Sequence, residues 1–250
     1  MKNLKLALMG TALASVLATS AIAGDCSFSG FYLGAQLGAG TTNTEVKFAQ
    51  PRIAATANRV EQTKQNVKNN LGATGAIGGL HVGYGKHFPN RFYLGLEAYG
   101  NLSGNKATYT HSTATRSASF KSERNNAFGI ALRPGIVFGN ALFYAKLGVE
   151  SADFKYSVSE SITGPGGSKL SGSKNTRRTG FVPGIGVALN VTDHVILGVE
   201  ATHTFYNSTS VNNVGRRTAI PANAKAGTLT NSSKFQSQAT DVLARVSYKW

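Results

Sequence analysis

Three copies of one tetrapeptide, Leu-Gly-(Leu/Val)-Glu, place a carboxylate two residues after a glycine. They occupy residues 94–97, 147–150 and 197–200, and residues 33–36 repeat the pattern with Gln in the last position. A glutamate can act as a general acid or base, ligate a metal ion, or pair with a basic side chain. Alternate side chains of a β-strand point to opposite faces, so each copy puts Gly and Glu on one face and its aliphatic residues on the other.

Basic side chains from other segments fall on the same face as these glutamates. Alternation along the strands predicted below gives that face eight charged residues: Glu97, Arg133, Lys146, Glu150, Arg178, Glu200, Asp241 and Arg245. Two glutamates could serve as acid and base, but pairing with Arg and Lys would keep both ionised and leave no proton donor. We therefore predict that these charges pair with one another.

His203 is the best single candidate for a catalytic base, as in a lipid A deacylase or acyltransferase. A nucleophile should lie close to it, but the threonines on either side point to the opposite face, and the next serine is Ser208. We predict instead that His203 belongs to an interfacial belt with Phe205 and Tyr206. The sequence predicts no catalytic residue, no cofactor and no metal site.

Eight strands are predicted to position the charged residues, and each strand carries an apolar row and a small or polar row. One strand, for example, has Phe92, Leu94, Leu96 and Ala98 on one face and Tyr93, Gly95, Glu97, Tyr99 and Asn101 on the other. We interpret the apolar row as facing lipid and the polar row as lining a packed interior, which is typical of a transmembrane β-barrel. Pro134 and Pro183 interrupt two apolar rows, and we predict a local bulge at each.

Short and long connections alternate along the chain. Turn signals at residues 87–90, 139–140 and 192–193 predict three short turns. Polar segments predict four long loops, at residues 43–72, 103–126, 153–178 and 207–238. The sequence thus predicts an all-β, eight-stranded antiparallel up-and-down transmembrane barrel with long basic extracellular loops and periplasmic termini. Since such a barrel has just enough interior room for side chains, the charges should form a salt-bridged polar core, with a gated or proton-conducting path as the alternative.

The net charge of +15 is unevenly distributed. The four predicted loops hold 18 basic and 5 acidic residues, whereas the rest of the mature chain is neutral. Loop four has no acidic residue, and its basic residues are Arg216, Arg217, Lys225 and Lys234. Charge confined to one end favours anionic surfaces such as lipopolysaccharide or the acidic glycans of a host or matrix, and it argues against nucleic acid.

The N-terminus has the pattern of a secretory signal peptide at residues 1–23. Lys2 and Lys5 precede an apolar run, and residues 21–23 have the small-x-small cleavage pattern, so the barrel domain should span residues 24–250. Cys26 is the only cysteine, which excludes an internal disulfide. Asp25 stands directly before it, where a lipoprotein cysteine would need a small residue, so we do not expect lipidation.

Both ends of the predicted barrel resemble one family. Residues 29–38, Ser-Gly-Phe-Tyr-Leu-Gly-Ala-Gln-Leu-Gly, look like the first strand of OmpA-like and opacity-type outer-membrane β-barrel proteins. The last residues, with Val246, Tyr248 and Trp250 alternating, look like the C-terminal signal that such proteins present to the barrel-assembly machinery. Members often end in Phe, whereas this chain ends in Trp.

The resemblance implies a location in the Gram-negative outer membrane, in contact with its lipids and lipopolysaccharide. Members of the family serve as surface structures, adhesins or narrow channels. Together with the charged loops, this predicts an anchored surface protein with a structural or interaction role. A narrow, porin-like channel is the alternative, and a lipid A-modifying enzyme is less favoured.

Overall fold

The computed structural model describes residues 28–53, 62–113, 116–162, 169–216 and 228–250. The predicted signal peptide and Cys26 therefore lie outside the described residues, as do Arg217 and Lys225.

Nine antiparallel β-strands form one sheet in the described residues. They are β1 (Gly30–Ile53), β2 (Gln62–His87), β3 (Phe92–Thr113), β4 (Arg116–Phe138), β5 (Ala141–Ile162), β6 (Lys169–Asn190), β7 (Val195–Tyr206), β8 (Thr209–Arg216) and β9 (Thr228–Lys249). Each strand from β1 to β6 pairs with the next one in the chain, β7 pairs with β9, and β9 pairs with β1 to close the barrel. Strands β7 and β8 both lie on the same side of β9, where they pair with different parts of it. Together they count as one of the eight strands around the barrel. The predicted eight-stranded barrel is thus confirmed. Within the described residues, no helix is long and apolar enough to cross a membrane.

The outer wall carries a continuous apolar band. Large exposed side chains include Phe31, Leu80, Leu96, Ile130, Leu147, Ile185, Leu197 and Val246. On β3 the exposed row runs from Phe92 to Leu102. At about 3.4 Å per residue and a tilt of about 45°, these ten steps rise about 24 Å, close to the apolar band of about 25 Å that outer-membrane barrels present to lipid.

The strands continue well past the apolar band at the end that carries the long connections. The ladder between β1 and β2 runs without a break from Gly30 to Ile53, which pairs with Gln62. Most of the residues predicted to form four long loops are therefore strand, and those predicted boundaries were wrong. Beyond the lipid both faces of a strand are polar, so the alternation signal disappears although the backbone ladder continues.

Above the band, the described strands separate into two sheets. Strands β2 and β3 pair only as far as Ser103, and β6 pairs with β7 only from Gly180 to Asn190. The extensions of β3, β4, β5 and β6 remain paired with one another, whereas the extension of β1 remains paired with those of β2 and β9. Among the described residues above the apolar band, β3 to β6 therefore form a sheet of their own, which has no strand pairing with the sheet that contains β1, β2 and β9.

Short turns close the opposite end, as the sequence predicted. Gly139 and Asn140 form the connection between β4 and β5, and Gly139 has φ 59°, a conformation that favours glycine. Arg91 adopts φ 67° in the turn before β3, where its amide donates to the carbonyl of Phe88 at 3.1 Å. In the third turn, the Thr192 hydroxyl accepts from the amide of Val195 at 3.0 Å.

The predicted bulges at Pro134 and Pro183 are wrong. Pro134 pairs with Leu94, and Pro183 pairs with Leu147, in unshifted register. Each proline lacks one ladder donor, so the pairing lapses on its other side, yet it resumes there in the same register. The register shift on β4 lies instead between Arg124 and Ala127.

Tyrosine rings inside the barrel lie against glycines of the neighbouring strand. Tyr99 covers Gly129, and Tyr144 covers Gly186, in directly opposite register. A Cβ atom at either glycine would come within 2.4 Å of the ring. Glycines in the polar row thus make room for aromatic side chains, as the narrow interior requires.

Candidate functional site: the charged interior of the barrel

The structure places all eight predicted interior charges inside the barrel. Each has less than a tenth of its surface exposed, and Glu97, Lys146 and Glu200 have at most 1%. They enter from β3 to β7 and from β9, because each lies in the inward row of its strand.

Glu97 and Glu200 form the lower charge cluster together with Arg133, Lys146 and Arg245. Glu97 accepts hydrogen bonds from Arg133 Nη1 at 2.9 Å, Arg245 Nη2 at 2.5 Å and Lys146 Nζ at 3.5 Å. Glu200 accepts from Lys146 Nζ at 2.7 Å and also from Arg245. The two carboxylates therefore share two of their three cations, and the cluster crosses the interior between opposite walls.

Tyrosines complete the lower charge cluster. Tyr32 donates to Glu97 at 3.1 Å, and Tyr144 donates to Glu200 at 2.9 Å. The Arg133 guanidinium lies 3.8 Å from the centre of the Tyr144 ring, and Lys146 Nζ lies 3.9 Å from that of Tyr99. These contacts add cation–π attraction to the ion pairs in a site from which solvent is largely excluded.

Arg124, Glu150 and Asp241 form the upper charge cluster. Arg124 Nη1 donates to both Asp241 oxygens, at 3.0 and 2.9 Å, and Nη2 donates to Glu150 at 3.0 Å. Tyr206 also donates to Glu150. Across the two clusters four acids meet four bases, which makes their combined formal charge zero.

Sequence reasoning missed Arg124, which it counted as part of loop two. Counting back from Phe128 by strict alternation puts Arg124 on the outer face. The register shift leaves Asn125 and Asn126 both exposed, so that Arg124 and Ala127 both point inward, although two residues separate them and strict alternation would put them on opposite faces. The adjacent asparagines were the only local sign of this bulge.

Arg178 lies apart from the two charge clusters, although the sequence analysis grouped it with them. Its guanidinium lies 5.1 Å from the ring centre of Tyr156 and 5.6 Å from that of Phe154, and it donates to Ser237 at 3.3 Å. It thus belongs to a more apolar layer nearer the long-connection end. Because Arg124 and Arg178 are both buried, two of the 18 basic residues counted in the loops do not contribute to the outer surface.

Apolar layers cap the charged interior at both ends. The upper layer contains Phe154, Tyr156 and Tyr206. The lower layer contains Phe28, Tyr93, Leu142 and Ile196, in which Phe28, just before β1, packs edge-to-face on Tyr93 at 6.3 Å. The cavity beside this lower layer has a volume of about 20 Å³, room for about one water molecule.

His81 and His203 both lie in the barrel wall. His81 is buried, and its Nε2 lies 2.8 Å from the Ser247 hydroxyl. His203 lies on the outer face, where Nδ1 is 2.8 Å from the Thr240 hydroxyl and the ring is 4.5 Å from that of Phe205. Tyr206 points inward, so its predicted place in the outer belt was wrong. Among the described residues, no group of three or more His, Cys, Asp or Glu could hold a metal ion.

The C-terminal residues and loop four lie at opposite ends of β9. Val246, Tyr248 and Trp250 are exposed in the apolar row, and the Trp250 amide donates to the carbonyl of Phe31 at 3.0 Å. Lys234 lies in the β9 extension, which pairs with β8, and Arg216 ends β8.

Comparison with known proteins supports the architecture. The sequence profile of the outer membrane protein beta-barrel domain matches residues 9–235. A search of curated proteins finds no match.

Several solved barrels resemble this chain in structure. The outer membrane protease OmpT of Escherichia coli is 9% identical over 93% of this chain and 99% of its own, with a TM-score of 0.49. OprG of Pseudomonas aeruginosa is 14% identical over 89% and 96%, also with a TM-score of 0.49. Ail of Yersinia pestis, solved with the heparin analogue sucrose octasulfate, is 11% identical over 86% and 99%, with a TM-score of 0.31.

Proposed function

This chain belongs to the outer membrane protein β-barrel family, and from that premise we propose that it is a non-conducting surface anchor. Its long-connection end faces outward and presents a basic surface to lipopolysaccharide and to acidic glycans of a host or matrix. Its role is structural or adhesive rather than catalytic, and it reaches the membrane through the barrel-assembly machinery.

The proposal depends on one observation: the charges inside the barrel are paired with one another, and apolar layers close the interior at both ends. A conducting path needs mobile water and ions along the barrel axis, whereas Glu97 and Glu200 are each held by two or three cations and a tyrosine. Breaking such buried pairs is costly because it leaves a charge without solvent or partner. The narrow channel is therefore the weaker alternative.

The shape of the barrel supports the proposed outward direction. Bacterial barrels have short periplasmic turns and longer extracellular loops. The short turns, Gly30 and Trp250 lie at one end of this barrel, and the extended hairpins lie at the other. The basic residues predicted for the outer surface come from those hairpins and their connections.

Planar-bilayer recordings of the refolded protein test the anchor. We expect no discrete conductance steps from folded protein, with folding verified by heat-modifiable gel migration. Reproducible single-channel openings would contradict the non-conducting anchor and support the channel instead.

Retention on heparin and on immobilised lipopolysaccharide across a salt gradient tests the basic surface. Changing Arg216, Arg217, Lys225 and Lys234 together to Ser should lower the salt concentration needed for elution, because exposed charges act within about 8 Å at physiological salt and each contributes about 1 kcal/mol near an anionic surface. If the two proteins elute at the same salt concentration, loop four does not contribute to binding. If the salt concentration does not affect elution of either protein, recognition is not electrostatic.

Mass spectrometry of lipid A from expressing cells tests the enzymatic alternative. His203 would be the catalytic base of such an enzyme, but its Nδ1 lies against Thr240, and we expect lipid A of unchanged mass. A deacylated or acylated product that disappears with His203→Ala would establish an enzyme.

A further inference from the structure

A basic patch lies on the outer face of β3 to β6, just above the apolar band. Lys106, Lys121, Lys155 and Arg177 all point outward from four successive strands. Two acids accompany them: Glu123, which pairs with Lys121 at 2.9 Å, and Asp153, which pairs with Arg177 at 3.4 Å. We call these six residues the basic patch; its formal charge is +2.

Strand register brings the lysines together. Glu123 stands directly opposite Lys106 on one side and Lys155 on the other, so these three side chains form one row across β3, β4 and β5. Directly opposite residues have Cβ atoms about 5 Å apart, which separates the two lysine stems by about 10 Å. The hydrogen bond from Lys121, helped by the charges of Lys106 and Lys155, lowers the pKa of Glu123. One carboxylate thus gathers three ammonium groups and neutralises only one.

Two apolar grooves lie on the lipid-facing wall directly below the basic patch. The upper groove has a volume of about 220 Å³ between Leu96, Ile130, Leu147 and Phe181. The lower groove has a volume of about 610 Å³ and is lined by Phe92, Ile136, Phe143, Ile185 and Val187. Both lie on the same four strands as the basic patch, but the lower groove extends to β7 and to Phe92, at the opposite end of the apolar band.

The spacing between the upper groove and the basic patch fits an amphiphile. Arg177 lies four residues from Phe181, and Lys155 lies six residues from Val149, which also lines the upper groove. At about 3.3 Å per residue and a tilt of about 45°, the patch stands about 9 to 14 Å above the groove. Long Lys and Arg side chains can reach from there into the headgroup layer while their stems cover apolar surface.

We propose that the outer face of β3 to β6 is a binding site for lipid A, a bisphosphorylated and multiply acylated glycolipid. Lys106, Lys155 and Arg177 contact phosphate, and the upper groove holds acyl chains. The inference rests on the proposed outward orientation, since that orientation places the basic patch in the leaflet that holds lipopolysaccharide. It differs from the loop-four surface in its residues and in requiring acyl chains.

Native mass spectrometry of the refolded barrel tests the site, with bisphosphorylated lipid A and phosphatidylglycerol offered as competing lipids. We expect the wild-type protein to retain lipid A in preference to phosphatidylglycerol. Lys106→Gln/Lys155→Gln should weaken lipid A binding by about ten- to thirty-fold, since each lysine near an anionic surface contributes about a factor of five. Monophosphorylated lipid A should bind more weakly to the wild-type protein than the bisphosphorylated form does.

Lys86→Gln/Arg91→Gln is the matched control, because it removes the same charge from exposed positions at the short-turn end. We expect it to bind lipid A like the wild-type protein, and heat-modifiable migration verifies that both variants fold. Equal weakening in both variants, or no weakening in the basic-patch variant, would overturn the site. Equal retention of phosphatidylglycerol and lipid A would overturn the glycolipid assignment.

Failure of the proposed function remains distinguishable from failure of this site. Conductance and salt-indifferent heparin retention would count against the anchor and its loops, and neither measurement depends on Lys106 or Lys155. A loop-four variant that loses heparin but keeps lipid A would leave the site intact.

Discussion

Arg124 and Asp241 are 117 residues apart in the chain, yet one Arg124 nitrogen donates to both Asp241 carboxylate oxygens inside the barrel. The pair joins β4 to β9, and the second nitrogen of the guanidinium reaches Glu150 on β5. One side chain, 1% exposed, thus links three strands of the upper barrel: β4, β5 and β9.

Arg124→Met should destabilise the barrel by about 3 to 5 kcal/mol, because it leaves the Asp241 and Glu150 carboxylates buried without their cation. Urea unfolding in detergent micelles, followed by circular dichroism, measures the change. Arg177→Met is the matched control, since its ion pair with Asp153 is largely exposed and should contribute about 1 kcal/mol or less. Similar losses in the two variants would contradict the buried role of Arg124.

Glu97→Ala should cost on the order of 3 kcal/mol, because it deprives three cations of a shared carboxylate. The same unfolding assay applies, with Glu123→Ala as the control at the outer surface. An unchanged midpoint for Glu97→Ala would indicate a hydrated interior, and conductance of the wild-type barrel should then be measurable.

Gly129→Ala should cost about 1 to 3 kcal/mol, as overpacking of a filled interior usually does. The added Cβ would lie 2.4 Å from the Tyr99 ring, which is itself buried against Lys146. Gly78→Ala is the control, because its Cβ would meet only Leu37 at 3.7 Å on the lipid face. If the two alanine variants unfold at the same urea concentration, the tyrosines do not need the glycines opposite them.

Deleting Trp250 should leave a secreted protein that accumulates unfolded in the periplasm. The indole is exposed and packs edge-to-face on Tyr248 at 5.1 Å, so its loss removes an accessible recognition feature rather than a core contact. Trp250→Phe keeps an aromatic terminus and should assemble normally. Fractionation and heat-modifiable migration measure both outcomes, and normal surface levels of the truncated chain would refute an assembly signal.

The amino-acid sequence was sufficient for the barrel, its strand number and its inward row. Period-two alternation is a local property, and lipid on one side and packed side chains on the other impose it along every membrane-spanning strand. Glu97, Lys146 and Arg245 could be assigned to the interior for that reason. The two-residue connection at Gly139 followed equally from local turn chemistry.

Tertiary structure decided what local alternation cannot encode. The partners of each charge depend on which strands face one another across the barrel, so the division into a lower and an upper charge cluster was not predictable. The bulge before Ala127 moved Arg124 to the inward face, which alternation alone did not predict. The ladder between β1 and β2 continued where both faces became polar. The basic patch emerged only from register, because Lys106, Glu123 and Lys155 become neighbours when three strands align.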